Sequence, residues 1–107
     1  MNQVVPFLDA VEREWKAIAR ELPSSVRISE VRLSVEHRKL AIGVEWPDHL
    51  AAIEAWEHAI CLDIDVHNLR SKEGVILVWG PCKDQSDAFT RLHGLRDHIR
   101  ASLMTAA

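Results

Sequence analysis

The sequence predicts an α+β domain, because three stretches of helical periodicity are interleaved with four segments of strand character, and 107 residues suit a single core. The expected order is α-ββ-α-ββ-α over residues 1–107, with one four-stranded antiparallel sheet packed with helices. Composition agrees: 48% of the residues are hydrophobic, 27% are charged, and there are only four glycines and four prolines. Disordered, collagen-like and solenoid chains look different. A chain of this size buries roughly two-thirds of its unfolded surface and needs no metal or disulfide to fold.

Between residues 4 and 22, Leu8, Val11, Trp15, Ile18 and Leu22 follow one another at spacings of three and four, which places them on one helical face. Asp9, Glu12, Arg13, Lys16 and Arg20 occupy the opposite face. Pro6 suits a first helical turn and Pro23 stops the helix. The period then changes to two. Val31, Leu33 and Val35 alternate with Arg32, Ser34 and Glu36, and Leu40, Ile42, Val44 and Trp46 alternate with Lys39, Ala41, Gly43 and Glu45. Two half-buried strands joined as a hairpin through residues 36–39 follow from this pattern. Val26 and Ile28 are out of phase with Val31, so the first strand either bulges near Ser29 or starts after it.

Residues 50–60 are rich in Ala and Glu and place Leu50, Ile53, Trp56 and Ile60 on one stripe, so a second helix is expected, with Asp48 as its N-cap. The alternative is a further strand that turns at His58 and Ala59. Residues 60–66 then alternate Ile60, Leu62, Ile64 and Val66 with Cys61, Asp63 and Asp65, the clearest strand pattern of the chain. After a polar turn at 68–74, residues 75–79 are apolar without alternation, which predicts a strand covered on both faces. Its second face, with Ile76 and Val78, needs either a helix or another chain over it, so a homodimer is one of the two arrangements open there. A last helix is capped by Asp84 or Ser86, buries Ala88, Leu92, Leu95, Ile99 and Leu103, and carries Arg91, Arg96 and Arg100 toward its C-terminal half. Gly94 weakens that helix, which suggests close packing there. The similar strand endings Val44-Glu45-Trp46-Pro47 and Leu77-Val78-Trp79-Gly80-Pro81 hint at a repeated ββα unit. Four strands span under ~20 Å, which two helices of ~10 Å fill, so a third helix must lie elsewhere.

The net charge of −3 argues against a general nucleic-acid binder. The longest uncharged, glycine-free apolar run is 75–79, far short of the ~18 residues of a membrane span. Asp9 and Glu12 interrupt the N-terminal stretch, so no secretory signal is expected. Two cysteines, Cys61 and Cys82, fit a reducing, cytoplasmic compartment rather than a disulfide framework.

The main polar constellation is Asp63, Asp65 and His67, which share one face of a strand at ~7 Å intervals. Such residues can hold a metal or orient a base, but no second ligand cluster accompanies them, and the readings preferred to a metal are the plain solvent face of an amphipathic strand or a charged recognition surface. Cys61 shares that face yet lies roughly 20 Å from His67 along the strand, too far for a thiolate–imidazole pair. The six histidines show no i, i+4 pair, and no glycine-rich phosphate loop is present. Of the four tryptophans, Trp15 and Trp56 read as core, while Trp46 and Trp79 end strands, where an indole can be partly presented. Glu45, Asp63, Asp65, His67 and Trp79 are therefore the expected partner-binding residues, with no catalytic residue, no metal and no cofactor.

In size, acidity and α+β layout the chain resembles the small immunity proteins with which bacteria neutralise polymorphic or contact-dependent toxins. Ala55-Trp56-Glu57, Cys61-Leu62-Asp63 and Gly74 before a strand are similar to the TriTu type. The resemblance implies a non-enzymatic inhibitor that presents acidic and aromatic groups to a basic toxin cleft. It also implies a strand at Trp56, against the helix read from propensity. The alternatives are a type III-like secretion chaperone, also small, acidic and usually dimeric, and a small enzyme with a metal on Asp63, Asp65 and His67. No nucleic acid or membrane partner is expected.

Overall fold

The computed structural model describes residues 6–105. Helix α1 (Pro6–Arg20) is followed by strands β1 (Arg27–Ser34), β2 (Lys39–Trp46), β3 (His49–Trp56), β4 (Cys61–Asn68) and β5 (Gly74–Val78), and helix α2 (Gln85–Thr105) ends the fold. The strands form one antiparallel meander in the order β1-β2-β3-β4-β5. The fold is thus α+β, with five strands and two helices among the described residues where four and three were expected. Residue 4, at the expected start of the first helix, lies outside the described residues.

Alternation decides which face is core. Leu40, Ile42, Val44 and Trp46 of β2, Ala51, Ile53 and Ala55 of β3, and Leu62, Ile64 and Val66 of β4 are all buried. Against them pack Phe7, Leu8, Val11, Trp15 and Ile18 of α1 and Ala88, Leu92, Leu95 and Ile99 of α2. Helix α1 lies over β2 and β3, α2 over β4, and the two helices touch.

The expected middle helix is replaced by β3. Its residues are paired along their whole length, from Trp46↔His49 to Lys39↔Trp56 on one side and from His49↔Asn68 to Trp56↔Cys61 on the other. Helix propensity spans under ~1 kcal/mol per residue, which two complete hydrogen-bonded ladders and the burial of Ala51, Ile53 and Ala55 readily outweigh. Asp48 is not an N-cap. It is the second residue of a two-residue turn after Pro47, with φ 65°, the proline-then-left-handed order of a type II turn. The chain reverses again at Glu57–Ile60, where Ala59 and Ile60 have φ of 66° and 44°, as the alternative strand reading expects.

The bulge near Ser29 is present: register shifts between Ile28 and Glu30, and the Ser29 hydroxyl lies 2.7 Å from where a Cβ on Gly43 would sit. Strand β5, in contrast, is not covered on both faces. It is an edge strand whose Val75 and Ile76 are 51% and 65% exposed, while Leu77 and Val78 pack partly on the core. A register shift between Ile64 and Asp65 pairs Ile64 with Val78 and Asp65 with Ile76, so Ile76 and Val78 lie on opposite faces, not on one. The ββα repeat also fails, because Trp46 leads into a tight turn and Trp79 leads off the sheet.

Helix α1 begins against a carboxylate distant in sequence. Glu57 accepts the Phe7 and Leu8 amides through its two oxygens, at 3.3 and 3.2 Å. Helix α2 starts as expected, with Asp84 accepting the Asp87 amide at 2.8 Å, while Asp87 takes the Lys83 amide at 2.9 Å. Gly94 is exposed on α2, and nothing lies within 4 Å of a Cβ built there, so it does not serve close packing. Gly94→Ala is therefore expected to stabilise the protein by about 0.5–1 kcal/mol, read as a thermal midpoint raised by a few degrees. A lowered midpoint would mean that this glycine has a role beyond the helix backbone.

Candidate functional site

The sheet face opposite the helices is covered by none of the described residues. Cross-strand register arranges it in rows: Lys39–Trp56–Cys61, then Ala41–Glu54–Asp63, then Gly43–Ala52–Asp65–Ile76, then Glu45–Leu50–His67–Gly74. Small side chains at Ala41, Gly43 and Ala52 make a low floor. Larger groups rise beside it on β3, β4 and β5.

Glu54 and Asp63 stand directly opposite each other, a like-charge pairing that opposes folding. Two contacts offset it. Lys39 Nζ lies 3.1 Å from Glu54 and 5.0 Å from the Trp56 ring centroid, as both an ion pair and a cation–π contact. Asp63 Oδ1 accepts the Gly80 amide at 2.8 Å.

That amide belongs to the junction where β5 leaves the sheet. Gly80 adopts φ 98°, a conformation favouring glycine, and its carbonyl accepts from the Leu62 amide at 3.2 Å. Arg91 reaches from α2 to the same place. Its Nη1 donates to the carbonyls of Leu62 and Gly80 at 2.7 and 2.8 Å, and its Nη2 to that of Pro81 at 2.9 Å. Trp79, the residue that leads into this bonded junction, is 73% exposed. It stands as a ridge between two hollows. One, of ≈ 350 Å³, runs to Trp56 over Cys61, Asp63 and Pro81; the other, of ≈ 250 Å³, is bounded by Glu54, Asp63, Asp65 and Ile76.

Among the expected binding residues, Asp63, Asp65 and Trp79 come together here. His67 continues the same face, with Nε2 3.3 Å from Asp65 Oδ2. Glu45 shares the face but stands on β2, two strands from β4, and is engaged by Arg27 through Nε and Nη2 at 3.1 and 2.8 Å. The tryptophan assignments are partly reversed. Trp46 is buried, donating to Ser102 Oγ at 3.1 Å and stacking on His49, whereas Trp56, expected in the core, is half-exposed on the open face. Glu54 and Trp56 were missed because their segment reads as a helix. The usable signal was the Pro47-Asp48 turn, which makes Leu50, Ala52, Glu54 and Trp56 one face of a strand.

Cys61 donates to Asp63 Oδ1 across 3.9 Å, and burial, then the nearby Asp63 charge, push its thiol pKa up. Burial does the same for Cys82. Both are therefore poor nucleophiles at neutral pH. Among the described residues no three His, Cys, Asp or Glu side chains converge as a metal site requires, and no helix is long and apolar enough to cross a membrane. In comparisons with known proteins, no family model, curated protein or solved structure matches the chain.

The two aspartates should separate in a stability measurement. Asp63→Ala strands the Gly80 amide and is expected to cost about 1–3 kcal/mol, whereas Asp65→Ala, with only an exposed contact to His67, should change stability by less than about 0.5 kcal/mol. Equal midpoints for the two variants would contradict the structural part given to Asp63. Alkylation by iodoacetamide at neutral pH should modify Cys61 more slowly than a free cysteine, and a faster reaction would show an activated thiol.

Proposed function

We propose that this chain is a non-enzymatic protein-binding module, an immunity protein that neutralises a bacterial toxin by binding a basic surface of it with the open face of β3, β4 and β5. The observation that carries this reading is Trp79, a tryptophan that precedes a firmly bonded backbone junction and is 73% exposed, beside three carboxylates on a face that none of the described residues covers. Exposing so large an apolar group gives the fold nothing, whereas tryptophan is enriched where binding energy concentrates. Glu54, Asp63 and Asp65 then supply the polarity that attracts cationic groups, with Lys39 in the next row paired to Glu54 and Arg32, at the β1 end of the Glu54–Asp63 row, paired to Glu30. Charges fixed on a strand lose little freedom on binding and steer a basic partner toward the tryptophans.

The test uses a toxin encoded beside the gene. Coexpression should protect cells, and Trp79→Ala should retain the fold while weakening binding by about 30-fold or more, as expected for a central aromatic anchor. The pair Glu54→Gln and Asp65→Asn, which spares the amide contact of Asp63, should slow association most at low salt. Unchanged affinity in Trp79→Ala and unchanged association in the double variant would remove this face. Capture of an unfolded effector segment instead of a folded toxin would favour the secretion-chaperone reading.

A further inference from the structure

We infer that the free edge of β1 is a homodimer interface, in which β1 pairs antiparallel with β1 of a second copy about a two-fold axis at Val31. The first observation is an apolar row that lacks cover. Val31 pairs with Ile42 and Leu33 with Leu40, so both point to the helix side of the sheet. Ile42 and Leu40 are 1% and 0% exposed there, yet Val31 and Leu33 are 38% and 44% exposed. The cause is width: five strands at ~4.8 Å span about 24 Å, while two helices of ~10 Å cover about 20 Å. The helix-side positions left bare fall at the two edges, Val31 and Leu33 on β1 and Val75 on β5.

The two edges differ in how they are closed to pairing. Strand β5 is five residues long, carries a register shift and runs straight into the Trp79–Pro81 junction. Strand β1 has eight residues, and the run from Glu30 to Ser34 contains no proline, no bulge and no charge aimed at the helix side. Such an edge is a template for another strand.

The sequence of β1 selects a second copy as that strand. With the axis at Val31, Val31 faces itself, and Glu30 faces Arg32 of the second copy, twice, on the open side of the sheet. The bulge extends the match. Ser29 is skipped against β2, where Ile28 follows Glu30 in the ladder; skipped likewise here, it sets Ile28 against Leu33 of the second copy on the helix side. Every helix-side position of β1 then meets an apolar partner, and both charged pairs on the open side are of opposite sign. Within one chain Glu30 and Arg32 already form an exposed ion pair, so dimerisation exchanges partners rather than burying free charge. The axis is perpendicular to the sheet, so it joins two meanders into one ten-stranded sheet with all helices on one side. The carboxylate and tryptophan face of β3 to β5 stays open, independent of this edge.

Sedimentation of the full chain should show a concentration-dependent dimer. Arg32→Glu sets two carboxylates against each other at both symmetry-related positions, and Glu30→Arg does the same with cations, so each alone should weaken dimerisation by about tenfold or more. Mixing these two variants restores opposite charges at both positions and should give a heterodimer. Val31→Lys, at an exposed position, should fold normally and remain monomeric. A wild type that is monomeric at every concentration, or a mixture that stays monomeric while the wild type dimerises, would overturn the proposed pairing.

Discussion

The interaction on which most of the architecture depends is the grip of one guanidinium on three carbonyls. Strand β5 ends at Val78, but the chain stays beside β4 and the turn before it as far as Cys82, through the Leu62 amide on the Gly80 carbonyl, the Cys82 amide on the Ile60 carbonyl and the Cys61–Pro81 bridge. This extension lies beneath α2, where water is partly excluded, and its acceptors need strong donors. Arg91 supplies them in a fork that fits several oxygens at once, and Asp87 one turn earlier, 3.9 Å away, balances the charge. One side chain thereby ties α2 to the place where β5 leaves the sheet, next to Trp79. Asp63 holds the same glycine from the opposite face of the sheet.

Much of this was legible in the residues because it follows from periodicity. The buried faces of α1, β2, β4 and α2 were visible as changes between periods of three to four and two, and the break in phase near Ser29 marked either a bulge or a late strand start, of which the bulge is present. Residues 49–56 were not legible, because two of the three inward side chains, Ala51 and Ala55 beside Ile53, are alanine, a residue that favours helix when nothing else decides. What decided was pairing on both edges, a non-local quantity that local propensity does not carry. The role of Arg91 was hidden for a similar reason. Its spacing marks it as helix surface, and only the tertiary position of the β4–β5 junction turns it inward. Of the site, Asp63, Asp65 and Trp79 could be read from the sequence, whereas Glu54 and Trp56 could not until β3 existed.

The sheet is strongly two-sided. One face has enough apolar bulk to hold two helices, and the other is built low in the middle by Ala41, Gly43 and Ala52. Such a floor contributes little packing, but it leaves space above the strands. Like charges at Glu54 and Asp63, directly opposed, are tolerated because each has its own partner: an ammonium for one and a backbone amide for the other. Local stability and the display of charge are therefore reconciled at single residues and not by a compensating patch elsewhere.

The capping of α1 by Glu57 carries a consequence for the order of events as the chain is made. Each strand pairs with the one before it, so the meander can grow hairpin by hairpin with short loop closures. The first helix cannot complete itself so early. Its amide ends wait for a carboxylate 50 and 49 positions downstream, and its buried stripe waits for β2 and β3. A nascent chain on the ribosome therefore carries an uncapped amphipathic segment until its first three strands have emerged, and during that interval α1 is the part most open to chaperones or to premature association.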